Sequence, residues 1–134
     1  MNHLSSRHAG WLLALVPLAL TGCLLAAGGA AAGSGIYLTT RGAEGVVHGT
    51  VEELTSASRT AFERLGVQYD GQRDQDDGGR EVYGATDDGE VTVDLTRRTD
   101  NATKVHVEVK TGTVTWDKDM AKRILAEIRS IREE

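Results

Sequence analysis

Few side chains in this sequence combine a type and a spacing that could do chemistry. The chain has one cysteine, Cys23, preceded by Leu20, Thr21 and Gly22. A lone thiol can carry a covalent modification but cannot close an intrachain disulfide. Beyond residue 22 the histidines are His48 and His106, too far apart in sequence for a local metal-ligand spacing. A nucleophilic dyad would need Ser or Cys beside one of them, and the strained G-x-S-x-G turn that presents such a serine is missing from the sequence. His106 alternates with Val105 and Val107, which puts it on the polar side of a strand. The acid run at residues 70 to 79 invites comparison with a calcium loop. Begun at Asp74, such a loop would have Gly78 at its fifth place, without a side-chain oxygen, and Ala85 where a bidentate Glu is needed, so a solvated connection is expected instead. Asn101-Ala102-Thr103 spells a glycosylation acceptor, and as Asn after Asp100 it also makes a turn. Trp116, beside an expected helix start, is read as covering the end of the sheet. No catalytic residue, metal ligand or cofactor site emerges.

The surroundings of Cys23 are more informative. Residues 1 to 9 are polar and carry Arg7, residues 11 to 20 (WLLALVPLAL) are apolar, and the small residues Thr21 and Gly22 come next. That order is the order of a secretory signal peptide. Leu20-Thr21-Gly22-Cys23 resembles a lipobox, the bacterial motif in which the cysteine accepts a lipid. The resemblance implies a diacylglyceryl group on the Cys23 thiol and cleavage before Cys23. Leu24, where Asp would mark inner-membrane retention, implies the outer membrane if the organism is Gram-negative. The alternative is an uncleaved membrane helix, since residues 11 to 33 carry no charge. Pro17 would interrupt it, and its second half is Ala and Gly with little transfer energy.

A chain of 134 residues suits one folded domain plus a leader. Hydrophobic residues make up 40% and charged residues 26%, which is ordinary for a globular protein and argues against disorder throughout. Loss of the first 22 residues removes only Arg7, taking the net charge from −5 to −6. An acidic domain with scattered Lys and Arg has no footprint for nucleic acid, so none is expected as a partner.

The elements can be read from the pattern. Residues 24 to 35 (LLAAGGAAAGSG) read as a flexible spacer with a typical span of about 20 Å. Val46 and Val47 suggest a strand. Thr50-Val51-Glu52-Glu53 has the form of a capping box, Leu54, Ala57, Ala61, Phe62 and Leu65 recur at helical spacing, and Gly66 supplies a stop. Val67 and Tyr69 suggest a short strand, residues 82 to 86 another, and Asp88-Gly89 a hairpin turn. Val91, Val93 and Leu95, then Val105, Val107 and Val109, alternate with polar residues, giving two strands with one apolar face. Asp117 can cap a last helix striped by Met120, Ala121, Ile124, Leu125, Ile128 and Ile131. The expected fold is α+β, in the order β-α-β-β-β-α: an antiparallel sheet of four to five strands with two helices on one face. Residues 1–22 form the signal peptide, 23–44 the lipidated cysteine and tether, and 45–134 the domain.

From about Gly45 onward, Leu65-Gly66-Val67, the turn Asp100-Asn101-Ala102-Thr103-Lys104-Val105, and Val109-Lys110-Thr111-Gly112-Thr113 leading into the last helix resemble a family of small bacterial lipoproteins of unknown function. The lipobox and the Gly/Ala spacer fit it too. These motifs are turn and packing residues, so the resemblance implies an envelope lipoprotein but transfers no catalytic residue. The expectation is a non-enzymatic module held to the membrane by its lipid. Its sheet face of Thr92, Asp94, Thr96, Lys104, His106 and Glu108, or its edge strand, would engage another envelope protein. A hydrolase or metal-binding protein of unrecognised type is the alternative.

Overall fold

A computed structural model describes residues 35–134. Cys23, the segment read as a signal peptide and all but Gly35 of the segment read as a spacer lie outside the described residues. Pairing begins with the two-residue strand β1 (Tyr37–Leu38), ahead of the domain start expected at residue 45, and β2 (Gly42–His48) returns beside it. Helix α1 (Val51–Leu65) begins where the capping box places it. The Thr50 hydroxyl accepts from the Glu53 N–H at 3.2 Å, and Glu53 Oε2 accepts from the Thr50 N–H at 2.9 Å. Gly66 ends the helix at φ 73°, in the left-handed region that costs a residue without Cβ little.

Strands β3 (Gln68–Asp74), β4 (Arg80–Ala85), β5 (Glu90–Thr99) and β6 (Ala102–Lys110) come next, and helix α2 (Lys118–Glu133) closes the chain behind an Asp117 cap whose side chain accepts from Met120 N–H at 2.9 Å. All pairings are antiparallel, in the order β1-β2-β6-β5-β4-β3. The fold is α+β as expected, with six strands rather than four to five. The additional strand is β1, whose Tyr37 and Leu38 are both exposed and show no alternation to read.

The run from residue 70 also differs from its reading as a loop: it continues β3 as far as Asp74. A sheet-edge strand exposed on both faces needs no apolar alternation, and here the backbone ladder to β4 sets the structure. The true turn is residues 75 to 79. Gln75 N–H donates to the Gly79 carbonyl at 3.0 Å, and Asp77 Oδ1 accepts from Gly79 N–H at 2.9 Å. Asp74 meets Arg80 Nε at 2.6 Å, so this acid run is anchored to its neighbours rather than merely solvated.

One face of the sheet is dry. Ala43 and Val47 of β2, Val82 of β4, Val91, Val93 and Leu95 of β5, and Val105, Val107 and Val109 of β6 are buried under both helices. α1 contributes Leu54, Ala57, Ala61 and Phe62, and α2 contributes Ala121, Ile124, Leu125 and Ile128. Buried hydroxyls are satisfied locally: Thr55 and Ser58 donate to the carbonyls of Val51 and Leu54, each at 2.7 Å, and Thr103 donates to Gly49 O at 2.8 Å.

Candidate functional site

Among the described residues no helix lies over the other face of the sheet. Because side chains alternate, the residues between the buried valines all project there. Register then aligns them across strands. Glu44 lies opposite His106, His106 opposite Asp94, Asp94 opposite Glu81, and Glu81 opposite Arg73, so five ionisable side chains form one row across β2, β6, β5, β4 and β3. A second row holds Glu108, Thr92 and Tyr83, and a third Val46, Lys104 and Thr96.

Contacts tie these rows together. Glu81 Oε2 accepts from Arg73 Nη2 at 2.5 Å and also from the Tyr83 hydroxyl. Both donors favour the ionised form: the Tyr83 hydrogen bond first, then Arg73, hold the Glu81 carboxyl below the usual carboxylate range, against the opposing effect of its partial burial. The same bond raises the pKa of Tyr83. Asp94 goes the other way. Desolvation is the main cause of its raised pKa, with the negative charge of Glu81 adding to it, while Gln75 Nε2 donates to Asp94 Oδ1 at 3.3 Å and partly offsets the rise. His106 Nε2 lies 3.3 Å from Thr39 Oγ1 and 3.8 Å from Glu108 Oε1, which links the β1–β2 turn to this face.

Opposite shifts in neighbouring carboxylates give opposite pH dependences. In the folded state Asp94 holds its proton more tightly than in the unfolded chain, so its contribution falls as pH rises from the usual carboxylate range through its raised value. Glu81 contributes stability that is present above the usual carboxylate range and lost as pH falls through its lowered value. Asp94→Asn should therefore leave stability at neutral pH equal to or above that of the unmodified protein, whereas Glu81→Gln should lower it. Urea denaturation of each variant at mildly acidic and neutral pH checks this, and a neutral-pH loss in Asp94→Asn as large as that in Glu81→Gln would contradict it.

Of the residues singled out in the sequence, Thr92, Asp94, Thr96, Lys104, His106 and Glu108 do share the open face. Glu44, Arg73, Glu81 and Tyr83 join them there without having been expected. Alternation around Val82 could have found Glu81 and Tyr83, but Arg73 lay in the supposed loop and Glu44 in the supposed tether. His48 pairs with Ala102, four rungs from the Glu44–His106 rung, so the two histidines are not brought together. Asp74 and Asp77 bind Arg80 and the Gly79 backbone, and among the described residues no three His, Cys, Asp or Glu side chains are grouped to hold a metal ion. Thr103 of the glycosylation-like triplet is fully buried and Asn101 sits in the β5–β6 turn. Trp116 bridges to Lys110 at the end of the sheet, with the Arg41 guanidinium 5.3 Å from its ring centroid.

No helix among the described residues is long and apolar enough to cross a membrane. No curated protein matches the chain. A family model described as "Protein of unknown function (DUF3568)" matches residues 9–130, a span that takes in Cys23 and the apolar residues before it as well as the sheet, α1 and most of α2. The chain belongs to that family.

Proposed function

We propose that the protein is a bacterial envelope lipoprotein, acylated on Cys23 and held at the periplasmic face of the outer membrane if the cell has one. Its domain is a non-enzymatic interaction module. The attachment rests on the sequence Leu20-Thr21-Gly22-Cys23 at the end of an apolar leader core. The interaction reading rests on one observation: a five-strand row of ionisable residues, Glu44, His106, Asp94, Glu81 and Arg73, on a sheet face that neither helix covers. Fixed charges of both signs on a flat surface select a protein partner by complementarity rather than by affinity for one small ligand.

The decisive experiment is Cys23→Ser in the full-length precursor. Fatty-acid labelling should vanish and processing before residue 23 should stop, whereas the unmodified mature protein should resist extraction from membranes by high salt, because acyl chains rather than charges hold it. Labelling or trimming of the serine variant as in the unmodified protein would sink the lipoprotein reading. Crosslinking in intact cells tests the open face. Glu81→Arg with Asp94→Arg should lose a captured envelope protein that the unmodified chain retains.

A further inference from the structure

We infer that the open stretch of the β2 edge, from Val46 to His48, binds an extended peptide segment of a partner protein, and that Arg129 on α2 receives an acidic side chain of that segment. The site depends neither on the lipid anchor nor on the open sheet face proposed above.

The first observation is a gap in the ladder. β2 pairs with β6 from Gly42 to His48, but on its other side it pairs with β1 only at Ala43 and Glu44. Thr39 N–H donates to the Gly42 carbonyl and Gly42 N–H donates to Thr39 Oγ1, so the backbone groups of Gly42 face the β1 side. Alternate residues of a strand face the same neighbour, and the groups of Glu44, Val46 and His48 therefore face that side too. Beyond Glu44 no strand meets them there among the described residues. The chain ahead of Tyr37 does not extend β1, because the Gly35 carbonyl oxygen stands on the inner side of Gly45, 3.0 Å from where a Cβ would be. The His48 carbonyl accepts from Arg132 Nε at 3.1 Å, which leaves the Val46 N–H, the Val46 carbonyl and the His48 N–H for a ligand.

The second observation is an unmatched charge. Arg129 Nη2 is buried without a hydrogen-bond partner, the one such side-chain atom among the described residues. It lies 3.1 Å from the place of the absent Gly45 Cβ, and Arg129 lines a cleft of about 180 Å³ with Val46, Val47, His48, Arg132 and Glu133. A buried guanidinium nitrogen without a counter-charge is costly to keep, and a carboxylate that accepts two N–H bonds from the fork matches it best. Arg132 does not compete for that carboxylate, since its Nη2 meets Glu53 at 3.2 Å. Glu133 stands one turn beyond Arg129 yet gives Nη2 no bond, and Arg ahead of Glu is the weaker order for a pair along a helix.

Together these features define the ligand. The Val46 carbonyl needs a donor and the two N–H groups need acceptors, which a peptide backbone supplies and a simple anion does not. In an added strand the residue opposite Val47 points its side chain to the helix side, where Arg129 is. Those opposite Val46 and His48 point outward, beside the exposed Val46 side chain. The segment is therefore an acidic residue between two apolar ones. A second copy paired through the same edge would leave Arg129 unmatched, because Ala43, Gly45 and Val47, the β2 residues on the helix side, carry no charge.

The test uses isotopically labelled full-length protein in detergent micelles, with acetyl-Val-Glu-Val-amide and its Gln counterpart as probes. Before peptide is added, the Val46 and His48 amide hydrogens should exchange with solvent faster than that of Val47, which faces β6. Protection of Val46 and His48 would mean that a second copy or the chain's own residues already cover the edge, and would overturn the site. The Glu peptide should shift the Val46 and His48 amide signals and the Arg129 Nε–H signal saturably, and the Gln peptide should need a concentration about fivefold higher or more. Arg129→Met should remove that preference with thermal stability unchanged or raised, because an unmatched charge is lost. Val46→Pro, which deletes an N–H on the open edge, should keep the fold and lose both peptides. Should it fail to fold, the exchange rates of the unmodified protein still decide the edge. Equal binding of the two peptides, or a preference that survives Arg129→Met, overturns the role of Arg129. Shifts confined to the Thr92, Asp94 and Lys104 face place the peptide there and overturn the edge site.

Discussion

Phe62→Ala is expected to destabilise the domain by about 3 to 5 kcal/mol, a large share of the 5 to 15 kcal/mol that holds a domain together. Phe62 is fully buried on α1 and is the largest fully buried side chain of the core. Its ring lies against β4, where a Cβ on Gly84 would stand 2.8 Å from Phe62 Cε2 and 2.7 Å from Val67 Cγ1. The glycine is thus what lets the ring approach the strand, and the two positions are one packing unit. Alanine at 62 leaves a void that the sheet cannot close, because its backbone is fixed by ladders on both sides. Gly84→Ala alone should cost about 1 to 3 kcal/mol by overpacking. Combined with Phe62→Ala, its methyl group enters the vacated space, so the double variant should be more stable than the sum of the single losses predicts. Strict additivity in urea denaturation would show that the ring and the glycine do not share the site.

Leu125→Ala should cost about 2 to 5 kcal/mol. Leu125 is fully buried where α2 crosses β2 and β6, and its Cδ2 is 3.7 Å from the place a Cβ on Gly45 would occupy. By contrast the ion pairs that also join the helices are exposed. Arg64 meets Glu127 at 3.0 Å and Glu134 at 2.8 Å with its own side chain open to water, and Arg64→Ala should leave stability almost unchanged. Thermal and chemical denaturation of the two variants separates the contributions. A Leu125→Ala change under about half a kcal/mol would mean that α2 is held by its charges rather than by its apolar stripe.

The contrast between these residues also marks what could be read from the sequence. Phe62, Leu125 and the valines of β5 and β6 announce themselves because burial on one face imposes a period, and Thr50, Gly66 and Asp117 because helix ends need particular chemistry. β3 showed only its start, through Val67 and Tyr69. Gly71, at φ 130°, sits in a bulge, and with most of its residues exposed on both sides β3 carries Asp, Gln and Arg as a loop would. β1 is too short to have a period at all. The row from Glu44 to Arg73 was hidden for a different reason: it depends on the register of five strands, and a register of that reach is a property of the assembled sheet. Asp94 illustrates the effect, since burial in the sheet and then the charge of Glu81 on the neighbouring strand raise its pKa, whereas Glu81 is lowered first by Tyr83 of its own strand and then by Arg73 across the β3–β4 pair.

The bulge in β3 matters beyond its geometry. A sheet edge is a template on which an identical molecule can add its own edge, and the tendency grows with concentration. Molecules confined to a surface meet far more often than the same number in free solution. At the β3 edge the break in register at Tyr69 and Gly71, with Asp70, Arg73 and Asp74 exposed along the same strand, denies an incoming copy a straight row of partners. If the protein is held at a membrane as proposed, straightening it, by Gly71→Val with Asp70→Thr and Arg73→Thr, would let neighbouring copies pair edge to edge through β3.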